Sequence, residues 1–268
     1  MLPNIQKSNP VVLLAAVILL LSTLFSGSLL AAHALPAFSA TYAIKKFGIQ
    51  VAEAQYQLSH TKTGYKFTQN TRLHGFASLF RDDSINAVSY IDKVGDELLL
   101  QKHDYVQTGK EKNKNEAFSI QWDTSNKPTT GKISGIVRSK NINLNTDTAV
   151  WDVLSFQIPL MIEASKNKKK YRYNALLKGE IDTYNFVLTS SKYITFSDKE
   201  YQALQMVRID PHKDRQLHIW IAPELHNMPV IIENYRDGKE HSIMQLKSVQ
   251  FNNSRRLTDQ AENLDDDF

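Results

Sequence analysis

FSATYAIKKFGIQVAEAQYQL, Phe38 to Leu58, is the stretch whose periodicity decides the fold. Phe38, Ala40, Tyr42 and Ile44 alternate with neighbours of mixed polarity, and Ala52, Ala54, Tyr56 and Leu58 alternate with Glu53, Gln55 and Gln57. A period of two puts one set of side chains on one face of an extended chain, so each run reads as a half-buried strand. Gly48 separates the runs at turn-like spacing. The same alternation returns at Phe118, Ile120 and Trp122, at Tyr184, Phe186 and Leu188, and at Leu217, Ile219 and Ile221. Gly64, Gly95, Gly109, Gly131, Gly179 and Gly238 punctuate these segments. About eleven or twelve strands follow, spaced too closely for βαβ units. The expected fold is mainly β: a curved antiparallel sheet, as a half-barrel or open barrel.

One segment departs from the rule. TAVWDVLSFQIPLMIEASKN, from Thr148, sets Val150, Leu154, Ile158 and Ile162 near helical spacing. It predicts one principal helix near 149–164, with Thr148 or Asp147 as the cap whose oxygen accepts an unpaired amide proton. Pro159 would kink it or end its first part. The segment is apolar on more of its circumference than one packing face requires.

The first residues read as a targeting signal. Lys7 is the only charge in MLPNIQKSNP, Val11–Phe25 is almost wholly apolar, and Ala32-His33-Ala34 is a small-x-small triplet. Residues 1–34 are thus expected to be a signal peptide that exports the protein to the periplasm. The alternative is an uncleaved inner-membrane anchor. Fifteen helical residues rise only about 22 Å against a hydrocarbon core of about 30 Å, although Ser26–Ala32 would complete a span. With no cysteine in 268 residues, neither a lipid-modified N-terminus nor a disulfide framework is available. The expected organisation is one β-rich domain over 35–254, followed by a disordered acidic tail over 255–268.

The formal charge of +4 hides an asymmetry. Setting aside Lys7 and the five acids after Arg256 leaves +8 on residues 35–256. Such a body favours anionic surfaces. No nucleic-acid reader motif is present, so nucleic acid is not an expected partner. In KNKKKYRY, Lys168, Lys169, Lys170 and Arg172 are candidates for contact with an anionic membrane surface, against the plainer reading of a solvated loop entering a strand.

Chemistry is poorly marked. The eight histidines never take a metal-ligand spacing, G-x-S-x-G and Gly-rich phosphate loops are missing, and Asp82 and Asp83 point apart if extended. No catalytic residue, metal or cofactor is expected. His218–Gly238, HIWIAPELHNMPVIIENYRDG, is dense in polar groups but reads as geometry: a strand ending near Pro223, a turn, a return strand from Pro229, and a hairpin turn at Asp237-Gly238.

FSATYAIKKFGIQVAEAQYQL, TAVWDVLSFQIPL, KGEIDTYNFVLTSSKYITF and HIWIAPELHNMPVIIENYRDGKEHSIMQLKSV together resemble the bacterial domain-of-unknown-function family 3108 (DUF3108), over about Ala37–Phe251. That resemblance implies an exported β-rich domain and no known catalytic residues. Trp220, Pro223 and Pro229 also make the chain similar, more loosely, to periplasmic lipoprotein carriers and lipid-binding half-barrels. Those folds wrap an open sheet around an apolar hollow.

The functional expectation is therefore a non-enzymatic protein holding a lipid or other hydrophobic ligand. Trp122, Trp151, Leu154, Phe156, Ile158, Leu160 and Trp220 would line or lid the hollow. The alternatives are a hydrolase acting on envelope polysaccharide or peptide, and an envelope assembly scaffold that pairs a sheet edge with a protein partner.

Overall fold

The computed structural model describes residues 35–75, 78, 83–109, 114–125, 129–164, 168–210 and 214–252. The expected signal segment and acidic tail lie outside the described residues. From Leu35 the chain forms one compact unit. Leu35 is fastened at the start: its amide donates to Tyr65 Oη at 3.2 Å, and its carbonyl lies 2.8 Å from His60 Nε2.

Among the described residues alternation becomes fifteen strands, against the eleven or twelve expected. In chain order they are β1 (Ala37–Lys46), β2 (Ile49–His60), β3 (Gly64–Leu73), β4 (Ser84–Val94), β5 (Glu97–Gln107), β6 (Glu116–Asp123), β7 (Thr130–Val137) and β8 (Lys140–Thr146). Then follow β9 (Val150–Trp151), β10 (Lys170–Leu177), β11 (Glu180–Phe196), β12 (Lys199–Ile209), β13 (Arg215–Ala222), β14 (Met228–Arg236) and β15 (Lys239–Asn252). All belong to one sheet, in the order β8-β7-β6-β5-β4-β3-β2-β1-β15-β14-β13-β12-β11-β10-β9.

Neighbours in the chain are neighbours in space, as tight hairpins require. The exception that makes a barrel is β1 against β15, antiparallel from Ala37↔Asn252 to Lys45↔Ile243. This pairing joins the two ends of the domain and leaves the ring open only where β8 gives way to β9. Every pair is antiparallel except the short β9–β10 contact. The result is a curved sheet, nearly closed, with one unsealed seam.

Inward positions follow the expected parity. Phe38, Ala40, Tyr42, Ala54, Tyr56 and Leu58 are buried, while Gln55 and Gln57 face outward. Phe38, Phe67, Tyr56 and Tyr42 form a chain of rings with centroids 5.1–6.1 Å apart, edge-to-face at Phe38–Phe67 and Tyr42–Tyr56 and tilted at Tyr56–Phe67, a geometry that adds to simple burial.

The helix is shorter than the pattern suggests. Within 149–164, Val150–Trp151 is strand and residues 153–156 are turn, so the helix α1 spans Gln157–Ala164. The expected caps Thr148 and Asp147 lie well before this start; ahead of the helix Asp152 Oδ1 accepts from the amides of Leu154 (2.7 Å) and Ser155 (2.9 Å), closing the turn over 153–156. Ser155 Oγ accepts in return from the Asp152 amide at 3.2 Å. Pro159 falls in the first turn of α1, where a missing N–H costs nothing, so it neither kinks nor ends the helix.

Residues 150–164 cross the barrel interior. Asp152 meets β4 and β5, Phe156 stacks on Phe186 of β11 (5.9 Å, 9°), and Asn227 after β13 donates to Met161 O at 2.8 Å. The apolar excess of this segment is now explained. It packs against both walls, and Val150, Ile158 and Leu160 have no exposed surface.

Candidate functional site

Two features inside the barrel carry functional side chains. The first is a polar cluster on the crossing segment. Ser89 of β4 and His103 of β5 are direct cross-strand partners on the inward face. Ser89 Oγ donates to Asp152 Oδ2 at 2.8 Å and lies 2.9 Å from His103 Nδ1, which is itself 3.2 Å from Asp152 Oδ2. Ser155 Oγ donates to the same carboxylate oxygen at 2.6 Å. Since the single Ser89 proton goes to Asp152, Ser89 Oγ accepts from the imidazole Nδ1–H.

Electrostatics favour an ion pair. Burial alone would raise the Asp152 carboxyl, but the His103 charge and hydrogen bond, with those from Ser155, outweigh it and hold it at about 2. Burial likewise lowers His103, while Asp152 and the more distant Glu116 and Asp104 raise it, and the net direction is upward. Glu116 is raised by burial, against the pull of His103 and Arg138.

Ser, His and Asp are the residues of a hydrolytic triad, but their arrangement is not one. In a triad the serine and the acid sit on opposite ring nitrogens. Here both crowd Nδ1, Nε2 has no hydrogen-bond partner among the described residues, and neither Ser89 nor His103 has any exposed surface. The cluster anchors the crossing segment to the wall. It was missed in the sequence, although one signal was available: Ser89 occupies the inward parity between Ala87 and Ile91.

The second feature is a cleft of about 720 Å³ at the seam. Leu98 of β5, Ala149 and Trp151, Pro159 and Ile162 of α1, and Tyr173 of β10 form its apolar side. Asp96, Glu97, Asp147 and Glu163 bring carboxylates, and Arg172 a guanidinium. Burial pushes the Tyr173 phenol far up, and its Oη has no hydrogen-bond partner among the described residues. A buried hydroxyl left unpaired costs about 1–3 kcal/mol. A neighbouring depression of about 520 Å³ on the outer side of β6–β8 is lined by polar side chains and Gly131.

The structure disperses the other candidate residues. Trp151 borders the seam cleft, whereas Leu154, Phe156, Ile158 and Leu160 are packed into the interior, filling the space they were expected to enclose. Trp122 is half-buried against the core, its Nε1 donating to Leu100 O at 2.8 Å. Trp220 is itself buried and belongs to the core cluster. Lys192 Nζ sits 3.9 Å from its ring centroid, and its Nε1 donates to Glu233 at 3.1 Å. Of the basic candidates, Lys168 pairs with Glu163 at 2.9 Å, Lys169 and Lys170 are exposed, and Arg172 reaches the cleft. Among the described residues no three His, Cys, Asp or Glu side chains converge to hold a metal, and no helix is long and apolar enough to cross a membrane.

The model of a family described as "Protein of unknown function (DUF3108)" matches residues 37–239. The chain belongs to the DUF3108 family. This DUF3108 protein is also similar to a solved structure, a β-barrel-like protein of the domain of unknown function DUF1849 from Brucella abortus. Identity is 10%, the match covers 82% of this chain and 99% of that one, and the TM-score is 0.53. At that identity the likeness concerns the fold, and it agrees with the barrel-like sheet. No protein of curated function matches the chain.

Proposed function

We propose that this DUF3108 protein is an exported, non-enzymatic protein of the periplasm that holds an amphipathic, lipid-like molecule in the seam cleft. The observation that carries the reading is the unpaired Tyr173 Oη beside the apolar wall of Leu98, Trp151, Pro159 and Ile162. An apolar chain laid on that wall gains about 25 cal/mol per Å2 removed from water. A headgroup at the mouth meets four carboxylates and one guanidinium, which suits hydroxyl or amine donors. The signal-like order of residues 1–34, a lone lysine, an apolar run and a small-x-small triplet, supports the periplasmic location; an anchor kept in the inner membrane would leave the same cleft outside the cytoplasm.

The test is native mass spectrometry and lipid extraction of protein purified from its own envelope, with uptake of a fluorescent fatty-acyl probe. Bound mass and probe uptake blocked by Ile162→Asp are expected. A bare polypeptide mass with no probe uptake would sink the proposal.

A second reading rests on β8, which among the described residues is paired with β7 alone and stands at the edge of the sheet. With charge only at Lys140, that edge is suited to pairing with a strand of an envelope partner. Crosslinking from an Asn143→Cys variant would identify such a partner, and failure to capture any envelope protein would dismiss this reading.

A further inference from the structure

The hairpin between β1 and β2 carries the most exposed apolar side chain described, Phe47 at 78%, followed two residues later by Ile49 at 69%. Its turn consists of Phe47 and Gly48, both at positive φ (52° and 77°). Two-residue hairpins of this kind favour Asn-Gly or Asp-Gly, because left-handed backbone crowds a bulky side chain. The other two-residue turns with both residues left-handed obey this more closely. They are Arg138-Ser139, Lys178-Gly179, Ser197-Asp198 and Asp237-Gly238, and all of them begin with a polar residue. Among the described residues, only the β1–β2 turn holds an aromatic ring in solvent on left-handed backbone.

The surroundings give that ring a context. β strands alternate direction round the ring, so the β1–β2 turn shares one end of the barrel with the ends of β5, β7 and β12 and the start of β11. Val106, Ile136, Ile209 and Ile181 occupy those positions, all exposed. Six of the ten exposed large apolar residues described therefore lie at this rim. Lys46 Nζ lies 5.5 Å from the Phe47 ring, and β15 beside β1 opens from the Asp237-Gly238 turn. In these two adjoining turns Lys45, Lys46, Arg236 and Lys239 outnumber Asp237 and Glu240.

We infer that this rim docks on an anionic lipid bilayer, with Phe47 and Ile49 entering the interface and the flanking bases meeting the headgroups. A planar partner accounts for apolar residues spread round a barrel end, where a compact protein ligand would need them gathered in one patch. At the tip, Phe47 and Ile49 follow Lys45 and Lys46, and apolar side chains bordered by lysines are the composition that interfacial binding selects. This surface lies at the opposite end from Lys168–Lys170 and stands whether or not the seam cleft holds a ligand.

The chain has no cysteine, so Ile49→Cys labelled with an environment-sensitive dye reports on the tip alone, independently of residues 1–34. On phosphatidylglycerol vesicles the emission should shift to the blue, the shift should shrink with salt, and phosphatidylcholine vesicles should give much less. Adding Phe47→Asn should weaken partitioning about tenfold or more, and because asparagine suits the turn, misfolding would not explain the loss. No shift on phosphatidylglycerol, or a shift unaffected by Phe47→Asn, would overturn the inference. A shift that depends on protein concentration without vesicles would assign the tip to a second copy and overturn it too.

Discussion

Ser89 and Asp152 are 63 residues apart in the chain and 2.8 Å apart in the barrel. That contact, with His103 beside it, ties the crossing segment to the β4–β5 wall ahead of α1. The interior is consequently a packed core threaded by one polar clasp, and the cleft open to solvent is displaced to the seam.

Asp152→Ala removes both the acceptor that closes the turn ahead of α1 and the counter-charge of a buried imidazole. It should destabilise the fold by about 3–5 kcal/mol in chemical denaturation. Adding His103→Leu should recover part of that loss if the stranded imidazole carries the cost. No recovery would place the cost in the turn.

Stability should depend on pH at two edges. His103 is raised above its ordinary 6.5, so its contribution is complete below that value and fades as pH climbs through the folded value. Asp152 is lowered from 3.8 to about 2, so its contribution is complete above 3.8 and is lost as pH falls towards 2. The acid edge is worth on the order of 2 kcal/mol. Tm against pH should therefore be highest between these edges, and His103→Gln should flatten the alkaline decline. An unchanged decline in that variant would assign it to other groups.

Gly131 is packed beneath Trp122: a Cβ there would come within 2.6 Å of the indole. Gly131→Ala should push the ring off its bond to Leu100 O and cost about 1–3 kcal/mol. Tryptophan emission would register the shift. A wild-type spectrum with unchanged stability would mean the ring moves freely.

Phe47→Asn should stabilise the protein, since a left-handed backbone costs most residues about 1–2 kcal/mol and asparagine less. A gain in Tm of about 2–4 °C is expected for a domain of this size. A lower Tm would indicate that the ring makes contacts worth more than its strain.

Tyr173→Phe separates ligand from scaffold. Deleting an unpaired buried hydroxyl should leave the empty protein equally stable or about 1 kcal/mol more so. Affinity for the fatty-acyl probe should fall severalfold, as measured by titration. Equal affinity would remove Tyr173 from the proposed site.

Much of the fold was legible because alternation is local: each residue of Phe38–Leu58 declares its face through its neighbours two positions away. The turn at Asp237-Gly238 and the strand end at Pro223 are equally local, depending on φ and on a missing donor. The helix was legible only in outline. Spacing at Val150, Leu154 and Ile158 cannot separate a helix from an irregular segment buried on all sides, and the turn closed by Asp152 emerges only once its oxygens are placed.

What the sequence alone determined was that the chain forms many antiparallel strands with one apolar interruption. Tertiary structure decided the rest: β1 closing on β15 across some two hundred residues, the crossing segment filling the hollow, and Trp220 covered by Lys192. Those outcomes depend on contacts between segments with no sequence proximity, settled by which buried polar groups find partners and which apolar faces meet. A local period carries neither kind of information.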